Sequence, residues 1–107
     1  MTVQPWPETA QELMRSRFEA FKTGDATWLL ASWHPKTRPL ELDLSDNPRW
    51  RGLQIVDVVG GGVGDDNGIV EFRASYVGQT GIEVLHERSE FLRLDGRWLY
   101  LNGQVMS

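Results

Sequence analysis

Phe91-Leu92-Arg93-Leu94-Asp95-Gly96-Arg97-Trp98-Leu99-Tyr100 decides the fold. Asp-Gly between two alternating segments is the signature of a two-residue hairpin turn. It places Leu94 opposite Arg97, Phe91 opposite Tyr100 and, on continuation, Ser89 opposite Asn102. Upstream, Ile69 to Val77 and Ile82 to Leu94 flank Gly78-Gln79-Thr80-Gly81, a second turn. Pairing Val77 with Ile82 sets Tyr76 against Glu83, Ala74 against Leu85 and Phe72 against Glu87. Side chains alternate between faces with a period of two. One face therefore gathers Phe72, Ala74, Tyr76, Leu85, Glu87, Ser89, Phe91 and Tyr100. The other sets Glu71 across from Arg88 and Arg73 across from His86.

Towards the N-terminus the pattern turns helical. Pro5 and Pro7 make residues 1–8 an extended lead-in. Thr9-Ala10-Gln11-Glu12 matches a capping box. From Ala10 to about Thr23, the residues Ala10, Leu13, Met14, Phe18 and Phe21 follow helical spacing, with Gly24 as the stop. Asp25 caps a second helix, Ala26 to about Trp33, which Pro35 ends. Leu40-Glu41-Leu42-Asp43-Leu44 alternates like a short strand, and Asp46-Asn47-Pro48 reads as a turn or a helix start. Gln54 to Val59 is a strand by its branched residues, and Gly60 to Gly68 is a flexible hairpin loop. Helices followed by antiparallel strands give an α+β fold, one domain over residues 1–107, with helices on one face of a strongly curved sheet.

Composition narrows the function. Fifteen acidic against eleven basic residues leave a formal charge of −4. Phosphate backbones call for a basic stripe, so nucleic acid is not the expected partner. The chain has no cysteine, which removes disulfides, thiolate zinc sites and cysteine nucleophiles. The N-terminus has neither a basic start nor an apolar run, so no signal peptide is indicated. No run of 18 apolar residues suggests a membrane span. A cytoplasmic location is the expectation, with no cofactor or metal implied.

The inner face contains one anomaly, Glu87 among aromatic rings, which must be hydrogen-bonded, paired or neutral. Arg17 falls in the apolar stripe of the first helix, whereas Arg15 points away. Arg17 and Glu87 are expected to meet beneath that helix, either as a structural ion pair or as a charged pocket floor. His34, at the end of the second helix, is a candidate acid/base beside Glu87. His86 reads as part of a cross-strand charge ladder. A Ser89–His34–Glu87 triad can be drawn, but no nucleophile-elbow sequence supports it. The glycine-rich loop lacks both the P-loop ending and EF-hand spacing. The expected pocket residues are Arg17, Trp28, Trp33, Phe72, Tyr76, Ser89 and Tyr100, with an apolar or aromatic small molecule as occupant; Trp98 could join the lining or fill the core.

A wider set of residues carries a family resemblance: Leu13-Met14-Arg15-Ser16-Arg17-Phe18 with Ala20-Phe21, Trp33-His34-Pro35, Trp50, Val70-Glu71-Phe72, His86-Glu87-Arg88-Ser89 with Phe91, and Gly96-Arg97-Trp98 with Tyr100 and Gly103. Over residues 9–103 the chain resembles the YchJ-like family, bacterial proteins without assigned function. The resemblance implies a nuclear transport factor 2-like, or SnoaL-like, cone of curved sheet closed by helices. Family members often carry a cysteine-rich, zinc-binding SEC-C segment, to which no residue here corresponds, and the family supplies no catalytic residues to transfer. Three readings stay open. The first is a ligand-binding pocket between the first helix and the inner sheet face, without established catalysis. The second is a hydrolase, isomerase or dehydratase using Glu87 or His34. The third is a homodimeric interaction module pairing through the outer face.

Overall fold

In the computed structural model, which describes residues 5–106, the first helix is set by its ends. Of the extended lead-in expected over residues 1–8, residues 1–4 lie outside the described residues, and residues 5–8 form neither helix nor strand. Helix α1 spans Ala10–Thr23. Thr9 Oγ1 accepts the Glu12 N–H at 3.1 Å, and Glu12 Oε2 accepts the Glu8 N–H at 3.2 Å. Two amides without intrahelical acceptors are thereby satisfied. Gly24 closes the helix at φ 77°, a left-handed conformation that glycine adopts without Cβ strain. Leu13, Met14, Arg17 and Phe18 are buried while Arg15 is exposed, as the wheel predicts.

Helix α2, Ala26–Ala31, is capped by Asp25, whose Oδ1 accepts the Trp28 N–H at 3.0 Å. It stops before the expected Trp33. Ser32 Oγ donates to Trp28 O at 2.7 Å, and the backbone then joins the sheet. Tyr100 N–H donates to Ser32 O at 2.9 Å, and His34 N–H donates to Tyr100 O at 2.7 Å. Groups that would have prolonged the helix instead pair with a strand edge.

The strand expected at Leu40 to Leu44 is not formed, and Leu40 is fully exposed at 101%. Alternation alone does not make a strand, and this segment pairs with none of the strands. The turn does form, with Asn47 N–H donating to Leu44 O at 3.0 Å. Asn47 Nδ2 then donates to Phe21 O at 2.6 Å, and its Oδ1 accepts Trp50 Nε1 at 2.9 Å. This one side chain ties the end of α1 to the start of the sheet.

Four antiparallel strands complete the chain in spatial order β1-β2-β3-β4: β1 Arg49–Gly60, β2 Asn67–Gly78, β3 Gly81–Leu94 and β4 Arg97–Val105. The predicted pairs Phe72–Glu87, Ala74–Leu85, Tyr76–Glu83 and Phe91–Tyr100 all occur. One pairing shifts. After Phe91–Tyr100 the next pair is Glu90–Asn102, so Ser89 faces Gly103 rather than Asn102. The extra residue, Leu101, is a β-bulge, which bends β4 and re-aims the residues beyond it. Two further irregularities interrupt β1. Helix α1 lies on the inner face, and Leu13, Met14 and Phe18 pack with Val70, Phe72, Ala74, Phe91 and Trp98. Each such side chain contributes about 1.5–3 kcal/mol on full burial. No helix among the described residues is long and apolar enough to cross a membrane.

The glycine-rich stretch is the expected hairpin loop, between β1 and β2, and hydrogen bonds join it to α1 and β3. Gly61 O accepts the Ala10 N–H at 2.9 Å, and Gly61 N–H donates to Asn67 O at 3.0 Å. Arg93 donates to the carbonyls of Asp65, Gly62 and Val63 at 2.8, 3.1 and 2.8 Å, its guanidinium 4.6 Å from the centroid of the Trp98 ring. Gly61 has φ +77°, and a Cβ there would sit 2.8 Å from the Ala10 Cβ. Gly61→Ala should therefore lower stability by at least about 1–3 kcal/mol in urea unfolding. Gly64→Ala, with nothing within 4 Å of the added carbon, should be close to neutral.

Candidate functional site

Helix α1 carries an ion into an apolar stripe. Arg17 is only 2% exposed, and a buried charge must recover its hydrogen bonds from protein. Its Nη1 donates to Leu29 O at 2.8 Å and to Ser32 Oγ at 2.7 Å. Leu29 lies in the last turn of α2, where carbonyls lack intrahelical donors. The Tyr100 ring centroid lies 4.4 Å from the guanidinium carbon and that of Trp33 lies 5.1 Å from it, cation–π distances. Burial lowers the pKa of Arg17 to about 10, partly offset by Tyr100 and Glu87. It stays a cation at neutral pH.

The expected Arg17–Glu87 ion pair is not made. The ion pairs among the described residues all lie on the outer face. A carbonyl and a hydroxyl at the end of α2 take the guanidinium edge that the carboxylate was expected to use. Glu87 remains near enough to feel the charge and points to the same space. Its Oε2 accepts Ser89 Oγ at 3.2 Å, and Ser89 is 0% exposed. The carboxylate passes over Gly103, where a Cβ would lie 2.6 Å from Oε1. The bulge brings glycine to this position, leaving the carboxylate room. Burial pushes the Glu87 pKa up, more than the Ser89 hydrogen bond and the Arg17 charge pull it down. Burial and the Glu87 charge likewise raise the Tyr100 phenol.

These groups surround a cavity of about 280 Å³ between α1 and the inner face. Towards β4 it is polar, lined by Arg17, Glu87, Ser89 and Tyr100 with Trp33. Towards β1 it is apolar, lined by Phe18, Phe21 and Trp50, with Met14, Phe72, Ala74 and Leu85 between. Among the described residues, hydrogen bonds are found at neither Arg17 Nε, Arg17 Nη2 nor the Tyr100 hydroxyl.

Five of the expected pocket residues thus meet at one cavity: Arg17, Trp33, Phe72, Ser89 and Tyr100, together with Glu87. The other two, Trp28 and Tyr76, do not line it, and neither does the acid/base candidate His34. Trp28 turns to Ser16 Oγ at 3.1 Å and stacks near Trp6, with ring centroids 4.8 Å apart. It borders a wider depression of about 450 Å³ beside Pro5 and Pro7, whose polar groups are solvated rather than buried. Tyr76 packs edge-on against Trp50 at 5.2 Å. His34 Nδ1 accepts the Lys36 N–H at 3.1 Å, which leaves the drawn triad without its histidine. Trp98 is fully buried in the core.

On the outer face, His86 Nε2 meets Glu71 Oε2 at 2.8 Å. Arg88 Nη1 meets Glu71 Oε1 at 2.8 Å and Asp57 Oδ2 at 3.2 Å. The hydrogen bonds from His86 and Arg88 hold the Glu71 carboxyl below its usual range. This is the expected charge ladder.

Comparison with known proteins agrees with this fold. Residues 9–103 match the family model described as YchJ, middle NTF2-like domain. The chain belongs to this family. A UPF0225 protein of Streptomyces coelicolor is 51% identical over 98 residues, 92% of this chain and 76% of that protein. One from Chromobacterium violaceum is 45% identical over 100 residues, covering 91% and 74%. The solution structure of a SEC-C motif containing protein from Rhodopseudomonas palustris superposes with a TM-score of 0.79 at 27% identity, covering 94% of this chain and 80% of that one. The YchJ-like α+β fold inferred from the sequence is thus the fold of the chain.

Three residues that shape this cavity escape sequence reasoning. Ser32 anchors Arg17, Asn47 fixes Trp50, and Gly103 makes room for Glu87. Only Gly103 leaves a trace, as a glycine inside a strand pattern.

Two substitutions separate this arrangement from an ion pair. Arg17→Ala gives up charge-assisted bonds worth about 1.5–3 kcal/mol and should destabilise by about that amount in chemical denaturation. Glu87→Gln should do the opposite near neutral pH. Because the folded pKa is raised, the stabilising contribution of Glu87 is complete below its unfolded pKa. It is lost as pH rises through the folded value. Glu87→Gln should therefore raise the melting temperature at about pH 7, and the gain should vanish below about pH 4. The double variant should show a coupling under about 1 kcal/mol. A coupling of several kcal/mol would restore the ion pair.

Proposed function

We propose that this domain binds a small organic molecule in the cavity between α1 and the inner sheet face. The observation that carries this reading is the constitution of the cavity. Its walls are mostly aromatic and aliphatic, and a buried cation, a half-buried carboxyl, a hydroxyl and a phenol converge at one end. Binding sites generally combine apolar walls with a few convergent polar groups, in volumes of roughly 300–1,000 Å³. At about 280 Å³ the occupant is of metabolite size, with one polar end.

A second reading has a specific support. Burial raises the pKa of Glu87, and a carboxyl moved towards neutrality can exchange protons with a bound substrate. A small-molecule hydrolase, isomerase or dehydratase would use Glu87 at this cavity, in the manner of a SnoaL-like enzyme. His34 is turned to its own loop and is not used. A homodimer has its own support on the outer face. Ile82, Val84 and Val59 are exposed at 61%, 58% and 49% there, next to the charge ladder. A cytoplasmic setting rests on the acidic, cysteine-free composition.

A thermal-shift screen of small metabolites tests the binding reading. A ligand at about 100 times its dissociation constant adds roughly 2.7 kcal/mol. Each kcal/mol moves the midpoint by about 4–8 °C in a domain near this size. Ala74→Leu, which fills the cavity wall, should abolish the shift while the far-UV circular dichroism is kept. Shifts that survive this substitution would place binding elsewhere.

A further inference from the structure

Arg17 has more donors than the described residues use. Nη1 is bound twice, yet Nε and Nη2 have no acceptor among the described residues. No fully buried side-chain nitrogen or oxygen there lacks a partner. The remnant of Arg17 surface, 2%, must therefore include these two nitrogens, and Arg17 lines the cavity. Tyr100, whose hydroxyl likewise has no partner among the described residues, lines it too. A desolvated guanidinium offering a two-nitrogen edge is matched by a planar carboxylate, which accepts two parallel hydrogen bonds. A phosphate dianion would face a single cation. An ammonium group would face the buried guanidinium, which already occupies the Tyr100 and Trp33 rings.

Resting on the reading of this cavity as a ligand site, we propose that its ligand is a small apolar or aryl monocarboxylate, seated on Arg17 and Tyr100, which binds with uptake of one proton by Glu87. The proton is a consequence of placement. Glu87 from β3 lines the same polar end, and two carboxylates sharing a site cannot both stay ionised. The other titratable groups facing it are Arg17 from α1 and Tyr100 from β4. The β1, β2 and Trp33 walls add only Trp50, Phe72, Ala74 and the indole. The raised pKa of Glu87 lowers the cost of that proton. The ligand body then lies against Phe18, Phe21 and Trp50.

The test is calorimetric titration of the whole chain with phenylacetate, 2-phenylethanol and 2-phenylethylamine at several pH values between about 5.5 and 8. Phenylacetate should bind tightest. Its affinity should fall by up to about tenfold per pH unit above the Glu87 pKa, with one proton taken up. Glu87→Gln should abolish the pH dependence and tighten phenylacetate binding at the highest pH. Arg17→Lys, checked for folding by circular dichroism, should weaken phenylacetate more than the alcohol. Equal binding of alcohol and acid, preference for the amine, or pH-independent phenylacetate binding would overturn this proposal and leave the cavity as a binding site. If no probe binds and the metabolite screen is also blank, the cavity reading itself fails.

Discussion

A guanidinium taken out of water has to be solvated by the protein around it, and Arg17 imposes that demand on three elements at once. Helix α2 must end where Leu29 O and Ser32 Oγ can reach Nη1. The chain after it must lie beside β4 for Trp33 and Tyr100 to flank the ion. The backbone exchange between Ser32, His34 and Tyr100 does this. The length of α2, the pairing at the β4 edge and the orientation of α1 are thus solutions to one electrostatic problem.

The cavity arises from the same solution. Arg17, on the buried stripe of α1, lines one end of it. On the facing strands, the bulge at Leu101 and the glycine at 103 open the floor for the Glu87 carboxylate. Asn47 fixes the far wall through the Trp50 indole. Packing elsewhere is dense, with Leu13, Val70, Phe91 and Trp98 fully buried. The void is therefore built by polar residues at particular places.

Much of this was legible in the sequence because two short turns fix strand parity. Asp95-Gly96 and Gln79-Thr80 each leave a single register, so Phe72, Ala74, Leu85, Glu87 and Tyr100 could be placed on one face from their numbers alone. The helical wheel likewise sent Arg17 inward and Arg15 outward. Partners were not legible. A wheel shows that Arg17 is buried but not that a carbonyl of α2 lies nearer than Glu87. The bulge gave no warning, since Leu101 continues the apolar pattern of β4. Alternation misled at Leu40 to Leu44, which pairs with no strand. Trp28 and Tyr76 were grouped with the pocket because aromatic type does not reveal which side of a helix or which end of a strand it serves.

Glu87 makes no ion pair among the described residues, although it stands beside a buried cation whose Nη1 bonds are made elsewhere. Carbon-13 NMR titration of its side-chain carboxyl in the ligand-free protein reads this directly. A midpoint above the ordinary glutamate value of about 4.3 is what the arrangement requires, because loss of water outweighs Ser89 and Arg17. A midpoint well below that value would mean that Arg17 and Glu87 are in contact, contradicting both the bonding of Arg17 and the open polar end of the cavity.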